Sequence, residues 1–221
     1  MTPPTPFSTH LRFSETMAGY ISFGEADYTY GYQKGRQRET DLVLHLTLEF
    51  GDLDRLLSGG DSQAQASGFV NCDALGGKLP LEGGTFRLFI GDEPHQKMMC
   101  YRLHCRDAVG HPLTLIGVKV MQKSKGRKDK GSGSRVWRDT TTLYLRVVQG
   151  SSGGDRQAEE AAEVVASGIL HLGLLSFAEQ LTTFRADAPS SIGQLAAVAR
   201  FGGFFLRQLW QVYGARLEHS P

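Results

Sequence analysis

From Leu42 to Phe50 every even position is apolar: Leu42, Leu44, Leu46, Leu48 and Phe50. The odd positions Asp41, His45, Thr47 and Glu49 are polar, with Val43 the exception. A period of two can only be satisfied by a pleated strand with one buried face. A second strand is predicted over residues 139–148, where Thr, Tyr, Leu and Val dominate and suit a half-buried sheet. Each strand is followed by a polar interval and then by similar words, Ala66-Ser67-Gly68-Phe69-Val70 and Ala166-Ser167-Gly168-Ile169-Leu170. The pattern predicts a mainly β chain: an antiparallel barrel or two-sheet sandwich of eight or more strands, lipocalin-like and open to internal duplication. Closing or stacking the sheet hides its apolar face and reduces exposed edges.

The remaining residues extend this reading. Residues 1–12 form a disordered lead-in, and 13–221 a single β-rich domain. Further strands are predicted at 13–23, 68–72, 85–90, 97–106, 113–121 and 165–172. Gly110 and Pro112 mark a hairpin at 107–112. Residues 31–39 and 123–133 read as polar connections, the second a mobile hairpin loop, and 150–160 as a flexible segment. Short helices are predicted at 53–57, 158–164 and 175–184. Leu195, Val198, Phe201, Phe205, Leu209 and Val212 recur every three or four residues, which predicts an amphipathic C-terminal helix over about 192–217 with Gly202-Gly203 as a place to bend.

Composition excludes several classes. No run of eighteen apolar residues exists, and the N-terminus lacks the basic and apolar regions of a signal peptide. Cys72, Cys100 and Cys105 cannot all pair within one chain, and Cys100 and Cys105 fall on opposite faces of one strand. Reduced cysteines and a cytoplasmic location, peripheral to a membrane at most, follow. No metal-ligand spacing, nucleophile elbow, phosphate loop or dinucleotide fingerprint is present, so the reading calls for no metal and no cofactor and names no catalytic residue.

Three features carry candidate chemistry. Between Lys119 and Arg138 lie eight cations (Lys119, Lys123, Lys125, Arg127, Lys128, Lys130, Arg135 and Arg138) against the single acid Asp129. The loop cations Lys123, Lys125, Arg127, Lys128 and Lys130 suit an anionic membrane surface. Nucleic acid is disfavoured, because only Trp137 stands near them for stacking. The C-terminal helix combines Phe, Trp and Tyr with Arg200 and Arg207, a composition shared by helices that cover a sheet and helices that lie on a membrane. Finally, Trp137, Asp139, Thr141 and Tyr144 cluster at a strand start, and His45 and His104 lie on polar strand faces from which they could share a ligand cavity.

Four phrases also carry a family likeness: Phe13-Ser14-Glu15-Thr16-Met17-Ala18-Gly19, Lys97-Met98-Met99-Cys100-Tyr101-Arg102-Leu103, Trp137 through Tyr144, and Phe204-Phe205-Leu206-Arg207-Gln208-Leu209-Trp210. Their order resembles an accessory segment that accompanies cholesterol-oxidase-like flavoproteins of the glucose–methanol–choline oxidoreductase family in long bacterial chains. The resemblance implies a bacterial protein of lipid or sterol metabolism with an oxidoreductase partner. It implies no flavin, since the glycine fingerprint is missing, and the basic stretch at 123–133 departs from the expected shorter segment. The resulting expectation is a binding or accessory module for a hydrophobic small molecule, acting with a lipid-modifying partner. The alternatives are a cofactor-free isomerase or cyclase working in the barrel cavity through Asp139, Tyr144, His45 and His104, and a peripheral protein of anionic membranes.

Overall fold

The computed structural model describes residues 9–59, 62–91, 96–122, 132–150, 161–173, 185–187 and 191–213. Within them run β1 (His10–Phe23), α1 (Tyr28–Gln37), β2 (Asp41–Phe50), α2 (Leu53–Leu57), β3 (Gln63–Cys72), a 3-10 turn (Asp73–Leu75), β4 (Gly77–Pro80) and β5 (Gly83–Ile90). They continue as β6 (Gln96–Arg106), β7 (Pro112–Gln122), α3 (Ser132–Thr141), β8 (Thr142–Gln149), β9 (Val164–Leu172), β10 (Arg185–Asp187) and α4 (Ser191–Tyr213).

Every strand pairing is antiparallel, in the order β1-β2-β3-β5-β6-β7-β8-β9, and β9 returns to pair with β1 from Met17↔Leu172 to Phe23↔Ala166. The sheet therefore closes into an eight-stranded barrel. A sandwich would have left β1 and β9 as edges; their pairing removes both. β4 adds to β3, and β10 adds to the first residues of β1.

The period of two settles what lies inside. Leu11, Phe13, Met17 and Ile21 of β1 share the interior with the five apolar residues of β2. Phe86, Tyr101, Leu103, Leu115, Leu145 and Leu170 fill the space between them. One end of the barrel, where β1 starts against the end of β2 (Leu11↔Phe50), is covered by α4. Phe201 packs on Phe13 and Phe50, with ring centroids at 6.3 and 6.1 Å, and Phe205 meets Phe89 at 5.0 Å. Arg200 ties the helix to Asp54 of α2 at 2.5 Å. α4 is one continuous helix through Gly202-Gly203.

Three expectations are corrected. His10, Leu11 and Arg12 are strand rather than lead-in, because Leu11 falls on the inward side and is wholly buried. Residues 31–39 are largely helical. Gly31 and Gly35, four apart, face the barrel so closely that a β-carbon would lie 2.3 Å from the Ser167 carbonyl oxygen or 2.2 Å from that of Ile21. The glycines that read as breakers are what lets α1, N-capped by Asp27 (Tyr30 N–H at 2.7 Å), lie against β1 and β9. Residues 139–141 belong to α3, and β8 begins only at Thr142. The threonines suggested strand, but Thr140 and Thr141 donate back to the carbonyls of Val136 and Arg138, which satisfies their hydroxyls within a helix. The predicted short helix at 175–184, the loop cations Lys123, Lys125, Arg127, Lys128 and Lys130, and residues 158–160 of the predicted short helix at 158–164 lie outside the described residues, while Val164 at the end of that stretch already belongs to β9.

The hairpin at 107–112 is built as its residues suggest. Asp107 Oδ1 accepts from the N–H groups of Val109 and His111 at 2.9 and 2.8 Å. The cysteines are free thiols, Cys72 and Cys105 buried. Burial lifts Cys105 to about 11, so at neutral pH it is a protonated core residue.

Candidate functional site

A groove of about 490 Å³ lies on the outside of the barrel between α3 and strands β7 to β9. Thr142, Tyr144, Ile169 and His171 line it because they occupy the outward positions of β8 and β9, with Tyr144 directly opposite Ile169 and Thr142 opposite His171. The last turn of α3 adds Arg138, Asp139 and Thr141, while Val120 and Leu172 supply apolar lining. α3 runs straight into β8 without a loop, which holds its last side chains beside the strand they introduce.

The groove is braced from both sides. Tyr144 meets Tyr28 of α1 edge-on at 5.7 Å, and the Arg146 guanidinium lies 5.0 Å from the Tyr28 ring. His171 touches Tyr32 edge-on at 6.0 Å, and its Nδ1 lies 3.3 Å from the Thr142 hydroxyl. Burial among these neighbours lowers the His171 pKa below its ordinary value, so the imidazole is neutral at pH 7. Asp139 Oδ2 accepts a 2.6 Å hydrogen bond from the Tyr213 hydroxyl, joining the end of α4 to α3. Its carboxylate thus fastens the covering helix as well as lining the groove.

Of the residues singled out by sequence, Asp139, Thr141 and Tyr144 come together here. Trp137 lies in α3, its side chain outside the described residues. His45 and His104 do not join them or each other. His45 projects outward from β2, where its Nδ1 lies 3.1 Å from the Thr16 hydroxyl and its ring stacks on Phe69 at 4.4 Å. His104 pairs with Thr114 at 3.2 Å across β6 and β7. The polar face of a closed sheet is its outer face, so two histidines on different strands diverge instead of sharing a cavity. Asp139, Tyr144, His45 and His104 all stand outside the barrel, so none of these four faces its interior.

Comparisons with protein-family models, curated proteins and solved structures find no match. The chemistry of the groove is therefore read from its own residues. One exposed arginine, the Thr142 and Tyr144 hydroxyls and a neutral imidazole surround a small apolar lining. Such a site suits a ligand with an apolar body and a polar or anionic head. Ile169 and His171 were missed by sequence reasoning, because only the β8–β9 register brings Ile169 to Tyr144 and His171 to Thr142.

A second polar group was missed altogether. Lys119, which sequence counts among the basic run, points into the barrel and pairs with Glu15 at 3.3 Å, their side chains 3% and 2% exposed. Tyr101 completes the cluster, with Lys119 Nζ 5.2 Å from its ring centroid. Burial first, and then the Glu15 charge, raise the Tyr101 pKa well above its ordinary value, so the phenol stays protonated. Glu15 Oε1 is buried without a hydrogen-bond partner. The signal was parity: Lys119 shares its face with Leu115, Gly117 and Met121, and Glu15 with Phe13 and Met17.

Proposed function

We propose that the protein is a non-catalytic binding module for an amphiphilic small molecule, lipid- or sterol-like, held in the groove between α3 and the outer face of β7–β9. The observation that carries this reading is the convergence of Arg138, Thr142, Tyr144 and His171 around the apolar Val120, Ile169 and Leu172. The likeness of the four short phrases to an accessory segment of cholesterol-oxidase-like proteins supports the lipid class and an oxidoreductase partner. A binding role is also consistent with Asp139, the groove's own carboxylate, accepting from Tyr213 and not from His171 among the described residues.

Native mass spectrometry of the purified protein is expected to show a bound lipid. A sterol sulfate, whose head stays anionic from pH 5 to 8, then serves as a titration probe. Ile169→Glu is expected to abolish its binding, and Arg138→Gln to weaken it about tenfold, the worth of a charge-assisted hydrogen bond. The pH dependence has a definite sign. His171 is neutral above its lowered pKa and becomes a cation as the pH falls through it, so affinity for the sulfate rises only once the pH drops below the ordinary histidine range. His171→Gln should flatten that rise. Binding that is indifferent to Ile169→Glu would remove the groove as the site.

A further inference from the structure

α4 is apolar on two sides, and the barrel uses only one of them. Ala197, Phe201 and Val212 are buried, while Ile192, Leu195, Leu206 and Trp210 are 82%, 73%, 67% and 65% exposed. At 3.6 residues per turn these four fall within about 60° of one another, along a line of roughly 27 Å from Ile192 to Trp210. Ala199 and Gly203 lie on the same line, so no charge interrupts it. A single exposed leucine needs no explanation, but a continuous stripe on a helix already packed by its other face does.

We infer that this stripe is a lipid-surface contact that lets α4 lie in the headgroup region of an anionic membrane. Charge is the first argument. The helix contains no acidic residue, and Arg207 runs along one edge of the stripe. Arg200 on the same edge is paired with Asp54, so that acid adds no net negative charge beside the stripe. Area is the second. Four such side chains offer on the order of 500–600 Å², below the roughly 800 Å² per partner of a standard protein interface. Shallow insertion needs no shape-matched partner, only apolar bulk with cations beside it. No described helix is long and apolar enough to cross a membrane, so α4 would lie in the surface instead of spanning it.

The test is flotation with vesicles of phosphatidylcholine alone and of phosphatidylcholine with phosphatidylserine, combined with tryptophan emission. The protein is expected to float with the anionic vesicles, with a blue shift of emission that Trp210→Phe removes. Leu195→Asp with Leu206→Asp should cut the bound fraction at least tenfold while melting within a degree or two of wild type, because both side chains are already in water. Arg207→Gln should weaken anionic binding about fivefold. Absence of flotation, or flotation unchanged in the double variant, overturns the inference. So does a concentration-dependent dimer that the double variant disperses without any vesicle binding, which would assign the stripe to a second copy of the chain.

Discussion

Lys119→Met is expected to destabilise the barrel by about 3–5 kcal/mol, even though it places an apolar residue in an apolar interior. The Glu15 carboxylate already has one oxygen without a hydrogen-bond partner, and the other accepts from Lys119. Removing the ammonium leaves a buried charge with only Tyr101 beside it. A desolvated carboxylate without a counterion costs far more than the apolar contacts of a methionine return. For a chain of this size that corresponds to a fall in Tm of roughly 6–20 °C. Glu15→Leu alone is expected to cost a similar amount, since it strands the lysine.

The double variant separates this account from a simple packing account. Glu15→Leu with Lys119→Met removes both charges and fills the space with apolar atoms, and it should be as stable as wild type or more so. Two independent losses of packing would instead add. Thermal melts of the four proteins therefore yield a coupling energy of at least about 3 kcal/mol if the pair is the cause. A coupling near zero would mean that Lys119 matters only through its methylene stem. Tyr101→Phe extends the cycle and is expected to cost less, because it removes a neutral group.

The same pair shows what could and could not be read in advance. Alternation placed β2 correctly, because a half-buried strand leaves its period in the sequence whatever surrounds it. β6, β7 and β9 fall within a residue of their expected bounds, whereas β1 starts three residues earlier and β8 three residues later than expected. Applied to Lys119, the same rule points inward. Grouping by charge put that lysine with its neighbours beyond residue 122 instead. Closure of the barrel was not legible: it depends on β1 meeting β9, and sandwich and barrel strands alternate alike. α1 was hidden by the two glycines that permit its close approach, and α3 by threonines whose hydroxyls are satisfied within the helix. The groove was half legible. Asp139, Thr141 and Tyr144 are near one another in sequence, whereas His171 arrives only through strand pairing.

The recurrence of Ala-Ser-Gly also has a local cause. β2 runs toward the end covered by α4, whereas β8 starts there. The strands that precede the two words therefore run in opposite directions along the barrel. What Gly68 and Gly168 share is crowding: a β-carbon on Gly68 would lie 2.0 Å from the His45 carbonyl oxygen, and one on Gly168 would lie 2.0 Å from that of Tyr20. Both neighbours are backbone of the adjacent strand and cannot turn aside. Gly68 adds a φ of +136°, a region side chains rarely adopt.

Gly68→Ala is therefore expected to lose on the order of 3–5 kcal/mol, combining overpacking with backbone strain. Against a total stability of about 5–15 kcal/mol, that is enough to leave a sizeable fraction unfolded at 37 °C. Gly168→Ala should lose about 1–3 kcal/mol, from overpacking alone. The same substitution at Gly202 should have the opposite sign. No heavy atom lies within 4 Å of its β-carbon position, and it sits inside α4, where alanine is favoured by up to about 1 kcal/mol. Urea denaturation of the three variants measures all of this in one experiment. If Gly68→Ala and Gly202→Ala shift the midpoint alike, close strand approach is not what that glycine provides. If Gly68 alone is sensitive, the barrel tolerates a side chain beside Tyr20 by moving β9, and the seam between β1 and β9 is the softer part of the wall.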